Sequence, residues 1–201
     1  MDLSVPISDV IPGHRGSVLA ALLRLREPVT GRELAAQAAV PPATARRIID
    51  DLAEAGLIDL TPAGRAVGVT LNRRHLAVPA LEQLVAMRAG LISRLRSAIA
   101  EWSAPAVGAW MFGSAARGDG DRHSYIDIVA VAHGATSSGW EEQIGDLAGL
   151  ASASTGNNVQ VLDYSRRRFR ELVVASNPLV RALRAEGIEL VDGSSKLLRP
   201  R

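Results

Sequence analysis

Residues 106–132 constrain this chain more than any other stretch. Two short apolar runs, AVGAWMF (106–112) and YIDIVAVA (125–132), flank a glycine-rich polar segment, GSAARGDGDRHS (113–124). Apolar runs of this length, bounded by turn residues, read as buried strands. GSAARG reads as a tight turn into the start of a helix. Downstream the pattern alternates: GWEEQIGDLAGLASAS as a helix, NNVQVLD as a third strand, SRRRFRELVVAS and NPLVRALRAEG as helices, and IELV as a short last strand. Strands alternating with helices indicate an α/β domain.

The first part of the chain has a different rhythm. Residues 1–12 read as an arm or a short strand. From His14, apolar residues fall at Val18, Leu19, Leu22, Leu23 and Leu25, which is helical spacing, and Pro28 ends the run. Thr30 stands three residues before Glu33, the pattern of a capping box, and GRELAAQAA follows as a short helix. After Val40-Pro41-Pro42, ATARRIIDDLAEA predicts a third helix that stops at Gly56. LIDL, a Pro-Ala-Gly turn and the alternating RAVGVTL then predict a hairpin. Residues 79–102 predict one long amphipathic helix with a stripe running from Leu81 to Ile99. It would serve as a connector, as a dimerisation helix or as the first helix of the next domain. The expected boundary lies near 75–80, giving domains at 1–78 and 79–201.

Composition excludes several functions. The chain of 201 residues has no cysteine, which removes disulfides, thiolate metal sites and cysteine nucleophiles. Net charge is only +2, so any nucleic-acid contact must come from local placement. The basic residues are 22 arginines and one lysine, an excess that fits either a GC-rich genome or phosphate contact. No secretory signal and no run of about 20 apolar residues is visible, so the expected location is the cytoplasm, with no membrane contact.

Two resemblances emerge. Residues 14–74, and above all ELAAQAAVPPATARRIIDDLAEAGLI, resemble the winged helix-turn-helix of bacterial transcription regulators. Residues 84–192 resemble the small DNA polymerase-beta-like nucleotidyltransferases, through FGSAARGDGDRHSYIDIVAV. The implied fold class is α/β (α+β): an N-terminal winged helix-turn-helix and a C-terminal nucleotidyltransferase-like α/β domain with a small mixed sheet.

The winged-helix resemblance implies that double-stranded DNA is read by the N-terminal residues of the second helix of the pair. Those are Pro42, Ala43, Thr44, Arg46 and Arg47, with Ala45, Ile48, Ile49 and Leu52 facing inward. Arg65 at the wing tip and Arg73 and Arg74 beyond the wing are further DNA candidates. Each arginine also has an ordinary reading as a solubility residue.

The nucleotidyltransferase resemblance implies a phosphate cradle at Gly113 and Ser114, with Arg117 beside it. It also implies two aspartates, two apart on one strand, plus a third carboxylate on a neighbouring strand, together holding magnesium and a nucleoside triphosphate. Here Tyr125 stands at the first position and Asp127 at the second. Gln160 falls at the third, with Asp163 as an alternative three residues on, on the opposite face of a regular strand. The Tyr125 ring is expected to pack on the neighbouring helix, to fill the ion's space or to stack on a base. Asp127 remains as a catalytic remnant, joined by Asp163 as a metal ligand only if the domain is active.

The basic run Arg166-Arg167-Arg168-Phe169-Arg170 reads as a solvated face or a phosphate contact, and His123 and His133 as surface residues. The favoured reading is a homodimeric DNA-binding regulator. Its second domain has lost catalysis, requires no cofactor, and serves nucleotide sensing, partner binding or dimerisation. The alternatives are an active magnesium-dependent nucleotidyltransferase, and an antitoxin-like partner of a two-gene module.

Overall fold

A computed structural model of the chain describes residues 1–64, 66–134 and 137–199. The chain forms two compact units, which divide between Met87 and Arg88. This is later in the chain than the boundary expected at 78.

The N-terminal unit contains α1 (Ile7–Val10), α2 (His14–Arg24), β1 (Val29–Thr30), α3 (Gly31–Gln37), α4 (Pro42–Glu54), β2 (Ile58–Ala63), β3 (Ala66–Leu71) and α5 (Val78–Val85). Residues 1–12 are thus neither arm nor strand throughout: Ile7–Val10 make one helical turn, and Ile7 is fully buried in the core. The three-stranded sheet has the order β1-β3-β2, antiparallel throughout. β2 runs on through Pro62, which pairs with Val67, so the hairpin turn is tighter than a Pro-Ala-Gly turn. A proline is tolerated there because β2 lies at the sheet edge. α4 buries Ala45, Ile48, Ile49 and Leu52, as its spacing requires, against Leu22, Leu34 and Val69.

Thr30 caps α3 through a complete box. Its Oγ1 accepts from the Glu33 N–H at 3.3 Å, and its own N–H donates to Glu33 Oε2 at 2.7 Å. These bonds, with the backbone one foremost, hold the Glu33 carboxyl below its ordinary range.

The stretch read as one long helix is two, α5 and α6 (Met87–Ala100), separated at Ala86. Neither Gly nor Pro sits at the break. The apolar stripe serves two cores: Val78 and Leu81 belong to the first, Leu91, Leu95 and Ile99 to the second. A single straight helix would have to keep one stripe on one core.

The C-terminal unit continues from α6 with β4 (Ala106–Phe112), α7 (Gly113–Arg117), β5 (Ile126–Ala132), α8 (Ser138–Thr155), β6 (Val159–Ser165), α9 (Arg166–Val174), α10 (Pro178–Glu186), β7 (Ile188–Glu189) and a 3-10 turn (Ser194–Leu198). Its sheet has the order β6-β5-β4-β7; β5 and β6 are parallel, and the other pairs are antiparallel. The α8 crossover is what a parallel neighbour demands. Ile126 and Ile128 pack with α6 and α8 residues such as Leu95 and Leu147. Val129 and Val131 pack on the other face with Phe169, Val180 and Leu183. There Trp110 stacks on Phe169 at 5.4 Å, with 19° between the rings. Leu3 also belongs to this unit, 2% exposed, with its N–H bonded to the Gly120 carbonyl at 2.9 Å.

Among the described residues, no helix is long and apolar enough to cross a membrane.

Loss of the α3 cap should weaken the N-terminal unit. Thr30→Ala is expected to cost about 1 kcal/mol, measured by denaturant unfolding. An unchanged midpoint would show that the box contributes nothing to stability.

Candidate functional site

The N-terminal unit presents a basic start to α4. Pro42 and Ala43 are exposed, Thr44 is half-buried, and Arg46 and Arg47 are exposed. Neither arginine has an ion-pair partner among the described residues. The acidic side chains of this helix, Asp50, Asp51 and Glu54, all lie further along, and Asp51 is paired with Arg15 at 3.6 Å. Positive charge is therefore concentrated at the end that a reading helix puts into the groove.

Arg73 is not available in the same way. Its guanidinium donates to Glu82 Oε1 at 3.0 Å and to the Leu25 carbonyl at 2.9 Å, tying the chain after the wing to α5 and to the end of α2. Two of its five N–H donors are used in this way, and the side chain is half-exposed. Arg65 lies outside the described residues.

In the C-terminal unit, Gly113 opens the five-residue helix α7 with φ 70°, a conformation that favours glycine. Space requires glycine too: a Cβ here would stand 2.8 Å from Asp127 Oδ2. The register explains this, since Phe112 pairs with Asp127 across β4 and β5.

The expected phosphate cradle is filled from within. Gly113 N–H donates to Glu186 Oε1 at 3.2 Å, and Arg117 Nη1 donates to Glu186 Oε2 at 2.7 Å. Arg117 Nε also donates to Asp119 at 2.9 Å. The two carboxylates, Asp119 foremost, push the Arg117 pKa further up and keep it a cation. Glu186 therefore stands where an anion bound by this N–H and this arginine would stand. It ends α10, 73 residues from Gly113, so no local spacing marks it.

Other residues that the sequence did not flag shape the turn. Arg88 Nε donates to the Ala115 carbonyl at 2.8 Å, and its Nη2 donates to that of Ala116, so α6 holds the carbonyl end of α7. Asn157, 2% exposed, donates to the Asp121 and Ser124 carbonyls at 3.2 and 3.0 Å. Those bonds fix the loop that folds back over Ser114, whose hydroxyl has no partner among the described residues.

The carboxylate positions are not brought together. Asp127 neighbours Gln160 in the parallel register, while Asp163 neighbours Ala130. Three residues along a strand reverse the face, and Asp163 accepts a hydrogen bond from Trp140 Nε1 at 3.1 Å on the far side. Asp127 and Asp163 therefore cannot share an ion in this arrangement. Among the described residues no three His, Cys, Asp or Glu side chains cluster as metal ligands would.

Tyr125 precedes β5 and is 52% exposed. It stands one residue before the β5–β6 ladder, which starts at Ile126, and about half of its surface is open to solvent. His123 and His133 are exposed, as expected.

Asp127 is half-buried, has no hydrogen-bond partner among the described residues, and its pKa is raised by burial. The folded protein therefore holds this proton more tightly than the unfolded chain does. Stability from the neutral form is complete at low pH and is lost as pH rises through the folded pKa. Asp127→Asn should melt above the parent near neutral pH, with the gap closing towards pH ~4. A gap independent of pH would contradict that account.

Comparison with known proteins places one part of the chain. Residues 16–62 match the IclR helix-turn-helix domain family. No curated protein sequence matches the chain. Among solved structures, the chain is distantly similar to a mutant of the toxin–antitoxin pair MntA–HpeT, with 15% identity over 53% of this chain and 80% of that chain, and a TM-score of 0.37. RV1404 from Mycobacterium tuberculosis gives 22% identity over 46% and 67%, with a TM-score of 0.35. A toxin–antitoxin structure with AMP-PNP gives 18% over 54% and 76%, with a TM-score of 0.34. An IclR-type helix-turn-helix domain thus occupies residues 16–62, from α2 into the first strand of the wing.

Proposed function

We propose that the chain is a transcription regulator that binds double-stranded DNA through α4. Its C-terminal domain, nucleotidyltransferase-like by its motif, is catalytically impaired and serves ligand sensing, partner binding or dimerisation. The observation that carries the reading is the pair of exposed arginines without ion-pair partners, Arg46 and Arg47, at the start of the reading helix of an IclR-type domain. An arginine fork suits guanine edges and phosphates alike. Two copies would suit a site with two half-sites, so a homodimer working in the cytoplasm fits the reading.

The impairment rests on the donor set. A two-magnesium clamp needs carboxylates converging from two strands. Here Asp127 stands beside Gln160, Asp163 is on the far face with Trp140, and the first position holds a tyrosine, which is no carboxylate. These residues do not fit such a clamp, and no catalytic step is derived through it.

Fluorescence anisotropy with fragments of the source genome tests the DNA reading. Arg46→Ala or Arg47→Ala should each weaken specific binding by about 1–3 kcal/mol if the residue reads a base, or flatten the salt dependence by about one ion if it meets a phosphate. Binding that ignores both substitutions and the salt concentration would remove α4 from the interface.

Labelled nucleoside triphosphates with magnesium test the impairment. No transfer to protein, RNA or small acceptors is expected. Transfer that disappears in Asp127→Ala would establish an active nucleotidyltransferase instead.

A further inference from the structure

The C-terminal unit has a cleft that neither reading uses. About 500 Å³ in volume, it lies between α9 and the 3-10 turn. Its floor is apolar, with Val107, Phe169 and Leu197; Arg166, Arg170, Lys196 and Arg199 stand around it. It opens at the far end of the sheet from Asp127: Val107 is the second residue of β4, which Phe112 ends, and α9 leaves the Ser165 end of β6, which pairs with Ala132.

The charges in this cleft are unbalanced. No acidic side chain lines it, and none of the four cations has a hydrogen-bond or ion-pair partner among the described residues. The only acidic residue in α9, Glu171, is already bonded to Arg167 and Arg168 at 3.5 and 2.7 Å. The chain as a whole is nearly neutral, at +2, so an excess of four positive charges in one cleft is a local concentration.

Folding gains nothing from this placement. Arg166 and Arg170 are four apart on one helix, where like charges repel. Arg166 also begins α9, and a helix N-terminus disfavours cations. A bound anion would reverse both penalties. A second hollow of about 750 Å³ shares Arg166 and Arg170, and is lined further by Arg167 with its partner Glu171, by His133 and by Val174, 69% exposed. The volume suits a small molecule, and the apolar floor and exposed valine suit a ligand with an organic part attached to its charge.

We propose that this cleft binds a small phosphorylated ligand carrying at least two negative charges, a nucleoside polyphosphate or a comparable organic polyphosphate. Arg166 and Arg170 form the wall that grips the phosphates from α9; Lys196 grips them from the 3-10 turn and Arg199 from the residue just after it. The site is separate from the turn at Gly113, where Glu186 already satisfies the arginine.

Calorimetric titration of the full chain, with inorganic tripolyphosphate, ATP, AMP and a short single-stranded oligonucleotide as probes, tests the proposal. ATP should bind; tripolyphosphate binding equally tightly would show that the phosphates alone are recognised, and weaker AMP binding would show that charge number matters. Arg166→Ala with Arg170→Ala, and separately Lys196→Ala with Arg199→Ala, should each weaken ATP binding at least tenfold while circular dichroism stays that of the parent and the melting temperature does not fall, the α9 pair raising it if the two arginines repel. Should one pair fail to fold, the other pair decides. The proposal falls if neither ATP nor tripolyphosphate binds, or if folded cleft variants bind as the parent does. It falls equally if Arg117→Ala alone abolishes binding, which would place the ligand at Gly113, or if only the oligonucleotide binds, which would make the cleft a nucleic-acid surface. None of these outcomes bears on DNA binding by α4, so the two readings fail separately.

Discussion

Strand β5 is buried on both faces, and the rest of the C-terminal unit follows from that. IDIVAVA contains a single polar side chain, Asp127, and each face of the strand needs its own cover. α6 and α8 supply one layer, α9, α10 and the 3-10 turn the other. β5 and β6 are parallel, so the connection between them must cross over, and α8 makes that crossover while covering one face. Covering both faces forces Asp127 to the rim of the sheet, beside Gly113, where water still reaches it. The position of the turn and the raised pKa of the aspartate are therefore consequences of core packing.

Much of this could be read from the sequence, because the signals are local. Thr30 and Glu33 are three residues apart and form their box. Ala45, Ile48, Ile49 and Leu52 share one helical face and are buried together. The glycine after AVGAWMF takes the positive φ that its place in a tight turn suggests. Pattern, period and turn chemistry all act within a few residues, so a linear reading recovers them.

What escaped the reading depends on residues far apart in the chain. The break at Ala86 has no breaker residue; it exists because one apolar stripe is divided between two cores. Glu186 reaches Gly113 and Arg117 from the last turn of α10. Arg73 looks like a free cation in sequence and is engaged by Glu82 and the Leu25 carbonyl. Tyr125 precedes the ladder by one residue and is half exposed, a placement its spacing in the motif does not reveal. In each case the deciding partner is set by topology, and topology is not written in local spacing.

Glu186 has one more consequence. Because it is fixed to the protein, it acts on the Gly113–Arg117 pair as a competitor that cannot be diluted. Tethered groups reach effective concentrations in the millimolar range or above. Any incoming anion must outcompete that carboxylate, and its apparent affinity drops by the fraction of time Glu186 is docked. The turn thus starts from a state in which its N–H and its arginine are already satisfied. The same two bonds tie the last residue of α10, just before β7, to the turn after β4.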